Sequence, residues 1–362
     1  MFVLTILGDI CPLQNNHPFN LTIEGDFIVG NLECALTNCP VPIKKAGPVL
    51  FAPTSFTADL KSAGISALSL ANNHIRDCGD KGIQSTIEAC LQNGIKVFGA
   101  AGSKEEAAKP LIVEENGRKV AIISFAEREF NGIREGSSGA NVFDPYDSFD
   151  IISNVKKTVD AVIVLYHGGI EHYIYPSPLL KKKCRKMVRS GADVVLCQHS
   201  HCIGTRETYL DGEILYGQGN SVFGFRKGND AWNHGLVARI HISESKVKVS
   251  YEVLEAKEDG TVSYAQEDVS NKILSKFESE SIHVADDSFL DKEWRTFCRK
   301  QKSSYLPMIF GLGSNFNRLN RVMKNGFVDA FYSQRQKNVT HNIIRCDAHR
   351  EVLETILEEY DF

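Results

Sequence analysis

The chain has 362 residues, of which 43% are hydrophobic and 24% charged, ordinary values for a folded globular protein with a sizeable core. Its 41 basic and 45 acidic side chains leave a net charge of -4, which argues against a wholesale nucleic-acid binder. No apolar run reaches the ~18 residues that span a bilayer. The opening Phe2–Leu7 run is too short for a signal-peptide core and has no basic residue before it, so the chain reads as cytoplasmic, with no transmembrane segment. Ten cysteines are scattered without a C-x-x-C pair and read as reduced, mostly buried thiols, not as a zinc ribbon or redox motif.

In chain order, Phe2–Leu7, Phe27–Gly30, Ala67–Leu70, Lys119–Phe125, Ala161–Leu165 and Asp193–Cys197 are short apolar runs that suit buried strands. Helical patterns lie between several of them: Thr54–Ala63, Gly79–Asn93 with apolar Ile83, Ile87, Cys90 and Leu91, and Pro178–Arg189. On the last of these, Leu180, Cys184, Met187 and Val188 form the inward stripe, and Lys181, Lys182, Lys183, Arg185, Lys186 and Arg189 read as its solvated face. Strand and helix in alternation predict a layered α/β domain. Glu213–Tyr216, Val237–Ile242 and Lys246–Leu254 then read as consecutive antiparallel strands. Beyond Ala256 the pattern turns helical, at Gln266–Ile282, Ser288–Lys302 and Ala348–Tyr360, with Asp286, Asp287 and Asp347 as caps. The expected organisation is an α/β domain over 1–258 and a helical extension over 259–362.

The polar residues able to do chemistry gather at the downstream ends of the predicted strands. These ends carry Asp9; Asn31 and Glu33; Asn73 and His74; His167 and Glu171; and His199 and His201. That edge of an open α/β sheet is where ligands bind. Singly, each residue has an ordinary explanation as a turn former or a hydrogen-bonded core histidine; five segments converging on one edge point to a site. If the chain stays extended after its strand, His199 and His201 at i and i+2 face the same side. With His167 as third imidazole, Asp9 and Glu33 as carboxylates and Asn31 and Asn73 as amide donors, the set suits one or two divalent transition-metal ions, Mn, Fe or Zn. Two such ions about 3.5–4 Å apart would hold a phosphate ester and activate water.

Gly8-Asp9-Ile10, Asn31-Leu32-Glu33, Ala71-Asn72-Asn73-His74 with Asp77 and Gly79, and His167-Gly168-Gly169 with Glu171 recur in a recognisable order. They are followed by His199-Ser200-His201, Glu207-Thr208-Tyr209 and Tyr216-Gly217-Gln218-Gly219-Asn220. Together, over roughly residues 3–225, these segments resemble the CapA family of bacterial poly-γ-glutamate and capsule synthesis proteins. The resemblance implies a metallophosphoesterase-like four-layer α/β/β/α sandwich. It also implies metal contacts from Asp9, Asn31, Glu33, Asn73, His167, His199 and His201, with His74 acting on the leaving group. The chain departs from the phosphoesterase pattern twice. Ile10 and Cys11 follow Asp9 where D-x-H is usual, and Asn31 stands where an aspartate bridges two metals, with Glu33 two residues on. An amide brings no charge to offset two cations, so Glu33 or Glu171 would have to take that part, or a single metal would bind.

These residues predict a metal-dependent hydrolase of a phosphoester or other ester or amide bond, and the resemblance implies that it acts in capsule or surface polysaccharide biosynthesis. His74 is its acid/base, and Glu171 or Glu207 orients the substrate or the histidines. The expected partners are a glycan, polymer or phosphate-ester substrate and capsule-biosynthesis enzymes, with no nucleic acid. The alternatives are a non-catalytic polymer-binding or scaffold component of a capsule assembly complex, or a component of poly-γ-glutamate synthesis.

Overall fold

A computed structural model describes residues 2–12, 23–244, 246–309, 314–323, 326, 328 and 332–359. Its strands longer than two residues are β1 (Phe2–Ile10), β2 (Phe27–Leu32), β3 (Ala67–Ser69), β4 (Lys96–Phe98), β5 (Leu111–Glu115), β6 (Arg118–Ala126) and β7 (Ala161–His167). They continue with β8 (Val194–Gln198), β9 (Arg206–Tyr209), β10 (Gly212–Leu215), β11 (Asn220–Val222), β12 (His234–Ile242), β13 (Val247–Ala256) and β14 (Val262–Tyr264). One sheet has the order β14-β13-β12-β1-β2-β3-β4, with β11 paired to the end of β1; the other has the order β9-β10-β8-β7-β6-β5. β1 to β4 are parallel, as are β6, β7, β8 and β10, so several strand ends in each sheet leave by one edge.

The period of two along each strand decides which layer a side chain joins. On β6, Val120 and Ile122 enter the core between the sheets, while Ala121, Ile123 and Phe125 face outward. On β7, Ile163 and Leu165 point inward, and Val162, Val164 and Tyr166 outward. β1 sends Leu4 and Ile6 inward, and Leu7 and Ile10 to the opposite face. Helices α1 (Phe56–Ser62) and α2 (Gly79–Gln92) cover the outer face of the first sheet through Phe56, Leu60, Ile83 and Cys90. Helices α3 (Ser148–Lys156) and α4 (Pro178–Arg189) cover the second through Ile152, Leu180, Cys184 and Met187. The result is a four-layer α/β/β/α sandwich. Each fully buried aliphatic side chain contributes about 1.5–3 kcal/mol, so strands apolar on both faces are stabilised where both faces are covered.

The chain divides into two compact units, Met1–Leu290 and Asp291–Phe362. The first holds both sheets and α5 (Glu267–Ser281), whose Phe277 joins the core between the sheets. Asp286 caps α6 (Asp287–Ile309), accepting from the amides of Ser288 and Phe289 at 2.9 and 3.0 Å. The second unit contains most of α6, α7 (Ser314–Val322), and the mutually packed α8 (Gln334–Arg345) and α9 (Asp347–Glu359). Tyr360, the last residue of the helix expected there, lies outside the described residues. Among the described residues no helix is long and apolar enough to cross a membrane, and all ten cysteines are free, seven of them buried.

The structure corrects three sequence expectations. The strand at Glu213–Tyr216 does not join Val237–Ile242 and Lys246–Leu254 in one antiparallel run. β10 runs parallel to β8 in the second sheet, whereas β12 and β13 pair with each other in the first. Short apolar strands carry no mark of their sheet, and the crossover through β11 separates these. Nor are the basic residues of α4 simply a solvated face. Lys181 Nζ is buried on the Val284 carbonyl and Asp287, both at 2.7 Å, and Lys183 Nζ reaches Glu127 at 2.9 Å. Leu91, read as one of the apolar residues of the α2 pattern, is 57% exposed, so Ile83, Ile87 and Cys90 carry the packing.

Candidate metal centre

The first sheet brings Asp9 at the end of β1, and Asn31 and Glu33 at and beyond the end of β2. Local backbone demands are strict here. A Cβ on Gly8 would lie 2.1 Å from the Gly219 carbonyl oxygen, because β11 runs beside β1 with Asp9 opposite Asn220. The loop after β3 supplies Asn72, Asn73 and His74. The second sheet brings His167 at the end of β7, and His199 and His201 just beyond β8. These last two do not converge by staying extended, as their spacing predicts; both have left-handed backbones, with φ of 89° for His199 and 51° for His201. Non-glycine residues held there cost energy and concentrate at functional sites. The turn leaves the two rings 6.1 Å apart, with His167 4.9 Å from His199.

Glu33 lies at the centre. It is fully buried, with Oε1 3.3 Å from His167 Nε2 and 3.9 Å from His201 Nε2. Asp9, also fully buried, has Oδ1 3.7 Å from His167 Nδ1 and Oδ2 3.7 Å from His201 Nδ1. The His199 amide donates to Asp9 Oδ2 at 2.9 Å. Asn73 Oδ1 lies 3.0 Å from His167 Nε2. Asn31 is close by, but its amide nitrogen donates to Asp9 Oδ1 at 2.8 Å and lies 3.1 Å from His167 Nδ1, while its oxygen accepts from Asn72.

Burial sets the electrostatics. It pushes Asp9 up to about 7, with the Glu33 carboxylate adding to the shift, and it raises Glu33 well above the usual range, helped by Glu171, Glu129 and Asp77. Burial also lowers His167 to about 4 and His199 to about 3, and drives His201 well below its ordinary value. Burial thus favours the neutral imidazole, the form a metal ligand takes.

Both Glu33 oxygens and His199 Nδ1 are buried with no hydrogen-bond partner. Such orphaned atoms are costly in a protein interior. A divalent ion would supply what they lack, and the residues fit one. Two groups of potential ligand atoms, each set within 4.8 Å of one another, are Glu33 with His167 and His199, and Asp9 with Glu33 and His201. Glu33 is common to both. These imidazole and carboxylate donors suit a borderline transition metal.

His74 stands beside the cluster in a dyad of its own. Its Nδ1 lies 2.6 Å from Asp77 Oδ2, in a turn closed by the Asp77 amide donating to the His74 carbonyl at 3.0 Å. Asp77 is itself fully buried and paired with Lys45, whose Nζ is 3.2 Å from His74 Nδ1. Glu171 is about half exposed, 3.9 Å from His172 Nε2, and its charge reaches Glu33. Glu207 is held elsewhere, by Arg185 at 2.6–3.2 Å and by the Tyr216 hydroxyl on the second sheet. The structure thus gathers Asp9, Asn31, Glu33, Asn73, His167, His199 and His201, with His74 adjoining and Glu171 nearby.

Sequence reasoning gave no role to several supporting residues. Asn72 donates to the Leu32 carbonyl at 2.7 Å and accepts from the His74 amide, while Asn131 donates to the Asn72 carbonyl at 3.0 Å. Asn220 Oδ1 lies 2.9 Å from His201 Nδ1, fixing that ring. Asp77 has a local signal, since a residue three after a histidine meets it across a turn. Lys45 has none.

The family model for bacterial capsule synthesis protein PGA_cap matches residues 15–225, a span that includes every candidate site residue except Asp9. The capsule biosynthesis protein CapA of Bacillus anthracis is 31% identical over 170 residues, 45% of this chain and 41% of that protein. The PGA biosynthesis protein CapA of Bacillus subtilis (strain 168) is 29% identical over 203 residues, 55% of this chain and 53% of that one. The chain therefore spans about half the length of these curated relatives. The crystal structure of a hypothetical protein from Thermus thermophilus is 14% identical, covering 70% of this chain and 99% of its own, with a TM-score of 0.45. With well over half of its residues matched by the family model, the chain belongs to the bacterial capsule synthesis protein PGA_cap family.

Proposed function

We propose that this chain is a metal-dependent hydrolase that cleaves a phosphoester or other ester or amide bond in the making of a capsule or related surface polymer. The observation that carries this reading is Glu33, a fully buried carboxylate with both oxygens unpartnered among neutral imidazoles. Such an arrangement is unfavourable unless a cation joins it. Glu33, His167 and His199 would hold one ion of Mn, Fe or Zn, and Asp9, Glu33 and His201 a second. When bound, the metal would polarise the scissile group and make water acidic enough to attack near neutral pH.

The chain's own residues do the rest. Asp77 holds His74 Nδ1, which directs the other ring nitrogen as the proton carrier for the leaving group. Asn73 Oδ1, 3.0 Å from the His167 Nε2 that faces Glu33, would be a further ligand to the ion held there, and Asn220 orients His201. Glu171 stands near enough to act on the approaching substrate, and Glu207, spent on Arg185, has no part in this reading.

A second reading, a polymer-binding or scaffold component without catalysis, is favoured by one contact. The Asn31 amide nitrogen is turned towards Asp9 and His167 Nδ1, occupying positions where metal ligands would be free. Metal content separates the two. Protein purified without a histidine tag is expected to carry one or two equivalents of a transition metal, and a His199→Ala/His201→Ala double variant to carry none. The loaded protein should then hydrolyse at least one member of a panel of phosphate esters and acylated sugars. Wild-type protein that takes up neither Mn nor Zn overturns the hydrolase reading.

A further inference from the structure

Beside the cluster, loop residues 223–229 lead from β11 into the short helix Asp230–Asn233. Asn233 clamps this loop from both sides: the Arg226 amide donates to its Oδ1 at 2.8 Å, and its Nδ2 donates to the Arg226 carbonyl at 2.9 Å. Trp232 is buried and donates through Nε1 to the Gly224 carbonyl at 3.0 Å. The Arg226 guanidinium lies over the Trp232 ring, 3.0 Å from its centroid. The same indole is 4.8 Å from the His201 ring and 6.0 Å from that of His172. Asn220 couples the two sides, holding His201 Nδ1 with its oxygen and the Trp232 carbonyl with its nitrogen. A cation is thus fixed one aromatic ring away from a candidate metal ligand.

Stacking engages the face of a guanidinium and leaves the in-plane N–H donors free to bind an oxyanion. Among the described residues the Arg226 guanidinium forms no salt bridge; Glu171 is the carboxylate whose charge reaches it. Glu129 and Glu171 also act on Glu33, so the cluster's surroundings bear negative charge on that side. Glu171 reaches both Arg226 and Glu33, so Arg226 supplies the positive charge that an acidic substrate needs on this side of the cluster. The pinned loop means little ordering is lost on binding.

We propose that Arg226, held over Trp232, is a subsite for an oxyanion of the substrate, a carboxylate or phosphate carried beside the bond that reacts. The proposal rests on the cluster being a reaction centre, and it narrows the substrate class to acidic molecules. The test titrates tri-γ-glutamate and glycerol 3-phosphate into the full chain, supplemented with Mn, and follows tryptophan fluorescence. Wild type, Arg226→Gln and Arg226→Lys are compared, with metal content and Tm measured on each. At least one probe should bind wild type. Arg226→Gln should weaken it about tenfold, the effect of one charge-assisted contact, and Arg226→Lys should weaken it less, with metal content and Tm unchanged in both. The probe that binds decides between carboxylate and phosphate. Equal binding by wild type and Arg226→Gln, or no binding of either probe by wild type, overturns the proposal. Arg226-dependent binding by a protein that takes up no metal would remove the hydrolase reading and leave the subsite standing.

Discussion

Replacing Glu33 with glutamine is expected to move stability in opposite directions with and without metal. Glu33 is fully buried and neither of its oxygens accepts a hydrogen bond. An unsatisfied buried polar group costs about 1–3 kcal/mol, and a charged one more. Because burial raises its pKa, folded Glu33 keeps its proton to higher pH than the unfolded chain does. The folded state then binds more protons, so stability falls as pH rises through and beyond the ordinary carboxylate range. The penalty is small near pH 4 and greatest in mildly alkaline buffer; glutamine has no such titration. Glutamine is also unpartnered there but carries no charge. Metal-free Glu33→Gln should therefore exceed metal-free wild type in alkaline buffer by about 1.4 kcal/mol for each pH unit over which Glu33 resists ionisation, several degrees in Tm for a domain of this size. Metal reverses the order. An ion at a hundred times its Kd stabilises wild type by about 2.7 kcal/mol, and the substitution removes the ligand common to both groups. Thermal unfolding of chelator-treated and Mn-loaded protein, in acidic and alkaline buffers, measures all four quantities. A metal-free variant less stable than wild type in alkaline buffer would refute the reasoning, as would a wild-type Tm indifferent to Mn and Zn.

Asp77→Asn should retain metal but lower turnover about 10–100-fold, because His74 Nδ1 loses its anionic partner; full turnover with metal bound would dismiss the dyad. Asp9 has a pKa of about 7, so below neutrality a metal must displace its proton. Affinity should fall from alkaline to mildly acidic buffer, with proton release seen by calorimetry. His167 and His199, lowered to about 4 and 3, do not compete for protons in that range. A pH-independent affinity would count against Asp9 as a ligand. Gly8→Ala places a Cβ 2.1 Å from the Gly219 carbonyl oxygen, a backbone atom that cannot swing aside as a side chain would. A loss of about 3 kcal/mol or more is expected, and an unchanged Tm would mean that β1 and β11 are not packed as described.

Much of this could be read locally. Runs such as Lys119–Phe125 and Ala161–Leu165 are apolar on both faces, which fits strands covered on both sides, and their period of two assigns each residue to a layer. Because parallel strands leave by one edge, polar residues just past their ends could be expected to meet, and Asp9, Glu33, His167, His199 and His201 do. What stayed hidden depends on partners distant in sequence. Lys45 reaches Asp77 from 32 residues upstream. Arg185 claims Glu207 across a helix–strand contact, and nothing near either residue in sequence announces the pair. The histidine spacing suggested an extended segment, yet the close approach is made by two left-handed residues, whose backbone is imposed by surrounding packing.

The sequence by itself determined the layered α/β architecture, the edge on which the chemistry collects and the donor types available there, because hydrophobic period and strand polarity are local properties of the chain. Only the tertiary structure decided which carboxylate stands at the centre, that Asn31 turns its nitrogen to Asp9, and that His74 is backed by Asp77 and Lys45. Those outcomes follow from burial and from charges brought together across both sheets, and desolvation exists only once the chain has folded around the group.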